Sequence, residues 1–237
     1  MDIAITFIGG FLAALFGSMA GGGAGFFGLY PLLFLGLPLN SAIATNAFGS
    51  LGFLTSIRNF AVNGYIEKKI FLPLLLLQGT GIAIGTFLLI SFSGTAIKIA
   101  VSVVLIPAFF VLAFWKPSND KINPLWKPLY FFYAIYSGLI STGAGSLRTF
   151  CLVRLRKIPA LQAVANGFLA TLPFSLLAVG ALFLAGLIDI RFGLTLLIAN
   201  LLGAHIGSNI AIKEGNEFVR KMLLAMMLLT VVVVWFI

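Results

Sequence analysis

Gly21-Gly22-Gly23-Ala24-Gly25 and, 120 residues later, Ser141-Thr142-Gly143-Ala144-Gly145 are the two stretches that decide the fold of this 237-residue chain. Each stretch interrupts a long apolar sequence and directly precedes another run suited to a helix. Glycine permits backbone conformations that other residues avoid, so a cluster of this kind ends one helix and allows the next to begin. We therefore expect two equivalent helix breaks, one in each half of the chain.

The composition places these breaks in a membrane. Hydrophobic residues make up 61% of the chain and charged residues 9%, with a mean hydropathy of +1.14, whereas soluble domains have roughly 45–50% apolar and about 25% charged residues. Runs without charge, such as 70–97 and 158–188, exceed the roughly 20 residues that cross a bilayer. They are continuously apolar rather than alternating, which excludes barrel strands. The chain is therefore predicted to be an all-α, polytopic integral membrane protein.

The two halves of the chain resemble each other at a shift of 120 to 122 residues. After each glycine break comes a Leu-Pro or Ile-Pro pair, ending at Pro38 or Pro159, and then an alanine-rich run. We interpret residues 1–116 and 127–237 as two repeats joined by a linker at 117–126. Each half contains five apolar segments, and this odd number makes the second repeat inverted. The predicted segments are 3–19, 22–36, 41–62, 69–91 and 95–115, then 127–141, 146–157, 159–183, 189–212 and 217–236.

The basic residues agree with an inverted arrangement. If the first two segments form a hairpin and later segments alternate, twelve of the 15 Lys and Arg residues share one side, Lys98 and Arg191 lie opposite, and Arg148 belongs to neither group. Positive charge collects in cytoplasmic loops, so the linker 117–126 is predicted to be cytoplasmic and both termini outside. The net charge of +9 then reflects orientation and not binding to nucleic acid. The twelve are Arg58, Lys68, Lys69, Lys116, Lys121, Lys127, Arg154, Arg156, Lys157, Lys213, Arg220 and Lys221.

The short segments after the two breaks predict a binding site near the membrane midplane. About 15 helical residues reach only ~22 Å of the ~30 Å hydrocarbon core, so short broken or re-entrant helices are expected to meet inside the membrane. Their N-terminal N–H groups and dipoles favour an anion, and such pairs are typical of inverted-repeat transporters. The alternative is that the glycines only allow tight helix packing. The candidates are Gly22, Gly23, Ala24 and Gly25, with Thr142, Gly143, Ala144, Gly145 and Ser146.

Arg148 is the most informative single residue, because it lies three positions after Gly145 and follows a charge-free run at 128–147. An arginine inside a membrane suggests a functional site, and its guanidinium can bind an oxyanion through two parallel hydrogen bonds. The alternative is that Arg148 extends towards the headgroups, since Arg154 is only six residues further on. The counterpart of Arg148 in the first repeat is Gly28, so any site would be asymmetric.

Polar residues at repeat-matched positions complete the predicted site. Thr45 and Asn46 in the first repeat and Asn166 in the second each follow a proline-led entry, and their hydroxyl and amide groups can donate to an oxyanion. Gln78 and Asn200 also match each other, but hydrogen bonding between helices explains that pair equally well.

Three further features favour structural roles. His205 and Cys151, the single histidine and the single cysteine, are expected to be packed, and their number excludes an internal disulfide and multi-residue Cys or His clusters, so no metal or other cofactor is predicted. All six acids lie at predicted segment ends or in loops, which disfavours coupling to protons or sodium through a membrane carboxylate. Two glycine pairs are expected to pack helices, namely Gly81 with Gly85 and Gly203 with Gly207.

One pattern in the first repeat is specific enough to suggest a family. It consists of Gly21 to Gly25, Pro31-Leu32-Leu33, Gly36-Leu37-Pro38 and Ala42-Ile43-Ala44-Thr45-Asn46. With its second copy, in which Cys151 replaces the matching proline, this pattern resembles the TauE/SafE sulfite exporter family, also called TSUP, over nearly the whole chain. The resemblance implies an inner-membrane carrier of small sulfur-containing anions, with sulfite and C2 organosulfonates such as sulfoacetate as substrate classes.

These features together predict an anion exporter that works by alternating access around the paired breaks and Arg148. The expected partners are the small anion and membrane lipid. An anion channel is the nearest alternative, although polar residues are scarce for a continuous path. An alternative from another class is an intramembrane serine hydrolase that uses Ser146 and His205.

Overall fold

The computed structural model describes residues 1–92, 122–140 and 144–234, and in them the predicted all-α architecture is confirmed. The segment expected at 95–115, the first half of the linker (117–121), and the candidates Thr142 and Gly143 lie outside the described residues. The helices are α1 Asp2–Ala20, α2 Phe26–Phe34, α3 Leu39–Gly49, a 3₁₀ turn Ser50–Phe53, α4 Leu54–Val62, α5 Lys68–Ser91, α6 Trp126–Ile140, α7 Ala144–Arg154, α8 Ala160–Leu184 and α9 Ile190–Val234.

The protein is a polytopic membrane protein. Among the described residues, four helices are long and apolar enough to cross a bilayer: Asp2–Ala20, Lys68–Ser91, Ala160–Leu184 and Ile190–Met226. Large apolar side chains also face outwards, since Leu76, Leu177 and Leu184 are 77%, 71% and 87% exposed. An exterior of this kind is unfavourable in water and well suited to lipid.

The two short helices follow the glycine breaks. α2 has 9 residues and α7 has 11, which correspond to about 14 and 17 Å of helix and fall short of the ~30 Å hydrocarbon core. Between α1 and α2 the chain reverses through Gly21, Gly22 and Gly23, whose φ angles are 77°, 108° and 91°. Residues with a side chain rarely adopt this conformation, so α2 begins later than the predicted residue 22.

The glycine pairs spaced four residues apart bring helices into close contact, as predicted. α1 packs along α9, where Gly203 and Gly207 touch the backbone of Phe11 and Leu15. α5 packs along α6 in the matching way, with its own glycine pair, Gly81 and Gly85, against Ala134 and its neighbours. By the sequence match, the first helix of each half therefore packs on the fourth helix of the other half.

One predicted segment differs in detail from the structure. The third segment, expected as one helix over 41–62, is divided into α3, the 3₁₀ turn and α4, and Gly52 in that turn lies against the backbone of Leu197 and Leu201 in α9. This division accompanies helix packing that no local pattern reveals. The last two predicted segments, 189–212 and 217–236, meet within α9 at Gly215, whose φ and ψ of 81° and −172° are not helical, so α9 is broken between them as expected.

Candidate functional site

The two glycine breaks lie directly against each other. A methyl group added to Gly22 would lie 2.5 Å from the Cα atom of Gly145, and one added to Gly23 would lie 2.8 Å from Cβ of Ser146. No residue with a side chain fits at such an approach. The start of α7 therefore packs against the turn that precedes α2, at the centre of the bundle.

A cavity of about 120 Å³ lies beside this contact. Eight of the thirteen predicted site residues line it: Gly22, Gly23, Ala24, Gly25, Asn46, Ala144, Gly145 and Arg148. The lining also includes residues that the sequence did not single out as ligands, among them Thr86, Tyr133, Phe168 and Thr171, together with Asn200.

Arg148 is buried in this wall and does not reach towards the membrane surface. It is 2% exposed, its Nη1 donates to Thr171 Oγ1 at 2.9 Å, and its Nη2 donates to the carbonyl oxygen of Gly21 at 2.8 Å. The guanidinium carbon lies 4.8 Å from the centre of the Phe168 ring and 6.0 Å from that of Tyr133. The interpretation that Arg148 extends to the headgroups disagrees with this burial.

The positive charge of Arg148 has no carboxylate partner in the described part of the chain, where Arg220 and Glu217 make the recorded salt bridge. A buried charge without a counterion is strongly unfavourable unless a ligand supplies one. Three polar atoms of the cavity lining are also buried without a hydrogen-bond partner among the described residues: Arg148 Nε, Thr86 Oγ1 and Asn200 Oδ1. The guanidinium therefore supplies the charge, and Arg148 Nε and Thr86 Oγ1 supply unused donors, that suit a small anion, whereas Asn200 Oδ1 can only accept a hydrogen bond.

At the site each half pairs a large side chain with a glycine, but the two halves carry the large side chain on different helices. In the second half the Arg148 side chain lies over Gly167, and in the first half Asn46 lies over Gly28, where a methyl group would be 2.5 Å from its Oδ1. By the sequence match Arg148 corresponds to Gly28, and Gly167 to Asn46. The space that one half fills from the short helix is filled in the other half from the following helix. A site with one guanidinium is therefore compatible with the predicted duplication.

Thr45 and Asn166 make hydrogen bonds between the two halves. The backbone N–H of Asp189 donates to Thr45 Oγ1 at 2.9 Å, and the backbone N–H of Glu67 donates to Asn166 Oδ1 at 2.9 Å. Each bond therefore ties one half to the N-terminal end of a long helix in the other half, α9 or α5. Neither residue lines the cavity, and Ser146, beside Gly23, does not line it either.

Gln78 and Asn200, matched in sequence, differ in their surroundings. Gln78 Nε2 donates to the Tyr133 hydroxyl at 3.3 Å, which is the interhelical bond expected for it. Asn200 lines the cavity and Gln78 does not. The sequence match between these two positions therefore indicated a cavity residue in the second half only. Thr171 and Phe168 contact the guanidinium, but no sequence pattern pointed to either residue. Their role depends on Arg148, which packs against them from another helix.

The ring of His205 contacts residues other than Ser146. Its ring nitrogens Nδ1 and Nε2 lie 3.2 and 3.3 Å from the side-chain amides of Asn59 and Asn209. Cys151 is buried, and its Sγ donates to the carbonyl oxygen of Trp126 at 3.6 Å. Cys151 is packed as expected, whereas His205 is exposed. The imidazole is engaged by amides instead of by a serine hydroxyl.

Comparison with known proteins agrees with this architecture. The family model described as Sulfite exporter TauE/SafE matches residues 6–234. The chain belongs to this family. A probable membrane transporter protein, ORF9, of Sinorhizobium sp. is 24% identical to this TauE/SafE chain over 230 residues, which cover 93% of this chain and 87% of that protein. A probable membrane transporter protein of Haemophilus influenzae is 26% identical over 236 residues, which cover 94% and 91%.

No solved structure matches the chain. The resemblance to the TauE/SafE family inferred from the glycine, proline and alanine pattern is confirmed, and the protein is a membrane transporter of the TauE/SafE type.

Proposed function

We propose that this TauE/SafE protein exports small sulfur-containing anions, sulfite or C2 organosulfonates such as sulfoacetate, across the bacterial inner membrane by alternating access. Family membership supports the transporter class. The observation that carries the choice of an anion is the buried Arg148, which lies at the contact between the two breaks and has no carboxylate partner among the described residues. A sulfonate or sulfite group offers the planar guanidinium two acceptor oxygens at once.

The contacts of Arg148 suggest how binding is linked to movement of the two halves. The guanidinium belongs to α7 in the second half, yet its Nη2 donates to the carbonyl of Gly21 in the first half. An anion that takes this donor breaks a bond between the halves. A ligand shifts a conformational equilibrium only when it contacts the two states differently, and competition for Nη2 supplies such a difference.

Export needs no coupled ion in this proposal. With an inside-negative potential of ~100 mV, each negative charge that leaves gains ~2.3 kcal/mol, which corresponds to roughly a 50-fold concentration ratio. The acids of the chain lie outside the predicted apolar runs. The membrane voltage alone is therefore a sufficient driving force, with the linker 117–126 in the cytoplasm and the termini outside.

The two alternatives receive less support from the structure. A channel requires a continuous polar path, whereas the cavity wall contains many apolar residues, such as Ile82, Leu89 and Leu182. A serine hydrolase requires a base beside its nucleophile, whereas the ring nitrogens of His205 lie at the amides of Asn59 and Asn209. We propose a non-enzymatic role for the protein.

The test is sulfite flux into or out of proteoliposomes with an imposed membrane potential. Arg148→Ala should lose flux, and Arg148→Lys should restore little of it because a lysine lacks the planar pair of donors. Arg154→Ala is the matched control, since Arg154 is an exposed arginine of the same helix. Unchanged flux in Arg148→Ala would contradict the proposed site, and absence of flux in the wild type would contradict the substrate class.

A further inference from the structure

α9 packs mainly on the first helices of the chain, although it follows α8 in sequence. Gly203 and Gly207 contact α1, Gly49 of α3 contacts Leu196 of α9, and α2 packs on α1 at Gly9. Three side chains of α4 donate hydrogen bonds to α9, namely Thr55 to the carbonyl of Leu201, Ser56 to the carbonyl of Ala204 and Asn59 to Ser208 Oγ, at 2.9, 3.0 and 2.8 Å. Close approach at small residues and hydrogen bonds hold helices together in lipid. α1 to α4 and α9 therefore form one unit, which we call bundle A.

α5 packs in the matching way on helices of the second half. Its glycine pair contacts α6, and Gly79 lies against the ring of Phe174 in α8. Arg156 of α7 donates to the carbonyl oxygen of Lys69 at 3.2 Å. This oxygen lacks its usual partner within α5, because Pro73 has no N–H. α5 to α8 therefore form a second unit, which we call bundle B.

Each bundle combines the first three segments of one half with the fourth segment of the other half. The bonds from Asp189 to Thr45 and from Glu67 to Asn166, which join the two halves, consequently lie inside bundle A and inside bundle B. Each of these bonds fixes the start of a long helix to the bundle that it enters. The division into halves along the sequence is therefore different from the division into packed units.

The chain passes between the bundles in the connection from α4 to α5 and in that from α8 to α9. Each connection contains a glycine in the left-handed region, Gly64 with a φ of 77° and Gly186 with a φ of 69°. A methyl group added to either would meet no atom within 4 Å. A hinge consists of a few connecting residues that absorb backbone rotation, and these two positions can rotate without disturbing either bundle.

The cavity lies between the two bundles. Its wall includes Asn46 and Asn200 from bundle A and Thr171 from bundle B. Arg148 is bound to Thr171 within bundle B, and its Nη2 donates across to the carbonyl of Gly21 in bundle A. An anion that competes for Nη2 therefore weakens a bond between the bundles.

We propose that the units that move during transport are bundle A and bundle B, and not the two halves of the sequence. This inference rests on the proposed function above and specifies the movement in it. A central site opens towards one side of the membrane when its walls separate, and these walls belong to different bundles. α5 moves together with α6 and α8 of the other half and moves relative to α3 of its own half. α9 moves in the same way with α1 and α4.

Cross-links distinguish the two kinds of movement. Asn40 of α3 donates to the carbonyl of Phe92 at the end of α5 at 3.0 Å, a contact between bundles within one half. Asn59 and Ser208 make the matched control contact, within bundle A but between halves. The variants Asn40→Cys/Phe92→Cys and Asn59→Cys/Ser208→Cys are made in a Cys151→Ser background, which removes the single native thiol.

The readout is sulfite flux in proteoliposomes before and after treatment with dibromobimane, so that each variant is its own reference. This short reagent joins two thiols through thioether bonds, whereas sulfite would cleave a disulfide. Cross-linked Asn40→Cys/Phe92→Cys should lose at least about tenfold in flux, because the opening movement is blocked. Cross-linked Asn59→Cys/Ser208→Cys should stay within about twofold of its untreated rate.

A second set of variants tests the opposite end of α5. The backbone N–H of Leu161 in α8 donates to Asn216 Oδ1 of α9 at 2.9 Å, a contact between bundles within one half. The Gln162 amide donates to the Glu67 carboxylate, a contact within bundle B between halves. Cross-linking of Leu161→Cys/Asn216→Cys should abolish flux, and cross-linking of Glu67→Cys/Gln162→Cys should not.

The reverse pattern would overturn the inference, since it would mean that the two halves move as units. Retained flux in both variants with a cross-link between bundles would overturn it as well. In either case sulfite flux in the untreated protein would leave the proposed function intact. Absence of sulfite flux in the untreated wild type would contradict the proposed function and this inference with it.

Discussion

Gly167→Ala should remove most anion binding without unfolding the protein. Gly167 lies in α8 beneath the guanidinium of Arg148, and a methyl group there would lie 2.9 Å from both Cδ and Cζ of that arginine. Nε of Arg148 would be closer still, and since heavy atoms pack at about 3.5–4.0 Å, the guanidinium has to move by about 1 Å or more. The nearest atoms all belong to the flexible arginine side chain and not to the backbone, so the side chain yields and the helices stay in place.

The size of the effect follows from the bonds that the guanidinium makes. A hydrogen bond to a charged group contributes about 1.5–3 kcal/mol, so a misplaced guanidinium that loses one bond to the anion should bind it about 10- to 100-fold more weakly. Alanine favours a helix over glycine by about 0.5–1 kcal/mol, which offsets the strain of the displaced side chain. The thermal midpoint in detergent should therefore change little.

The assay is the concentration dependence of sulfite flux in proteoliposomes, with Gly180→Ala as the control. Gly180 belongs to the same helix, and a methyl group added there has no atom within 4 Å, so this variant should transport like the wild type. Wild-type affinity in Gly167→Ala would refute the conclusion that the position of the Arg148 guanidinium determines binding.

Four further predictions concern other parts of the chain. Thr86→Val should be at least as stable as the wild type, because it removes a buried hydroxyl without a partner among the described residues, yet it should bind the anion several-fold more weakly. Thr45→Val should lower the free energy of unfolding by about 1 kcal/mol and Asn166→Leu by about 2 kcal/mol, with anion affinity unchanged, because the first removes one bond between the halves and the second removes two, to the N–H of Glu67 and the carbonyl of Tyr65. Lys157→Gly should have a higher thermal midpoint than Lys157→Ala, since residue 157 has a φ of 61°, where a side chain costs about 1–2 kcal/mol. A cysteine introduced at Ser118 should react with a membrane-impermeant thiol reagent only from the cytoplasmic side.

Each of these predictions has an outcome that contradicts it. Unchanged anion affinity in Thr86→Val would show that the Thr86 hydroxyl does not bind the anion. Weakened affinity in Thr45→Val at unchanged stability would restore the interpretation of Thr45 as a ligand. Equal thermal midpoints for Lys157→Gly and Lys157→Ala would mean that the backbone strain at residue 157 is relieved elsewhere. Modification of the cysteine at position 118 from the outside would contradict the cytoplasmic placement of the linker.

Much of the architecture could be predicted because few kinds of secondary structure are stable inside a lipid bilayer. A charge-free apolar run in a membrane has to satisfy its backbone within a helix, so the predicted segments 3–19 and 69–91 agree with α1 and α5 to within one residue at either end. α2 begins four residues later than predicted, because Gly21, Gly22 and Gly23 adopt left-handed φ angles, and the 3₁₀ turn at Ser50–Phe53 was not predicted. This turn packs against α9, a contact that propensity and period do not contain.

The candidate site was predicted less completely, for a reason that lies in the repeat itself. Matching the halves selects positions that both halves need, and Thr45 and Asn166 are such positions because each bonds across to the other half. A site with one guanidinium is by nature unmatched, so comparison of the halves could not point to the residues around it. Thr171 and Phe168 became visible only through their contacts with Arg148.

The pairing of α1 with α9 has a consequence for biosynthesis. α1 ends at Ala20 and α9 begins at Ile190, so about 170 residues have to be made before the first helix meets the surface that covers it. At about 5–20 residues per second, the ribosome needs roughly 10–35 s for this. During that time the newly inserted helix has only lipid or the insertion machinery as a neighbour. A chain that is cut short before residue 190 leaves α1 permanently without its main contact, so we expect such fragments to be recognised as incomplete and degraded.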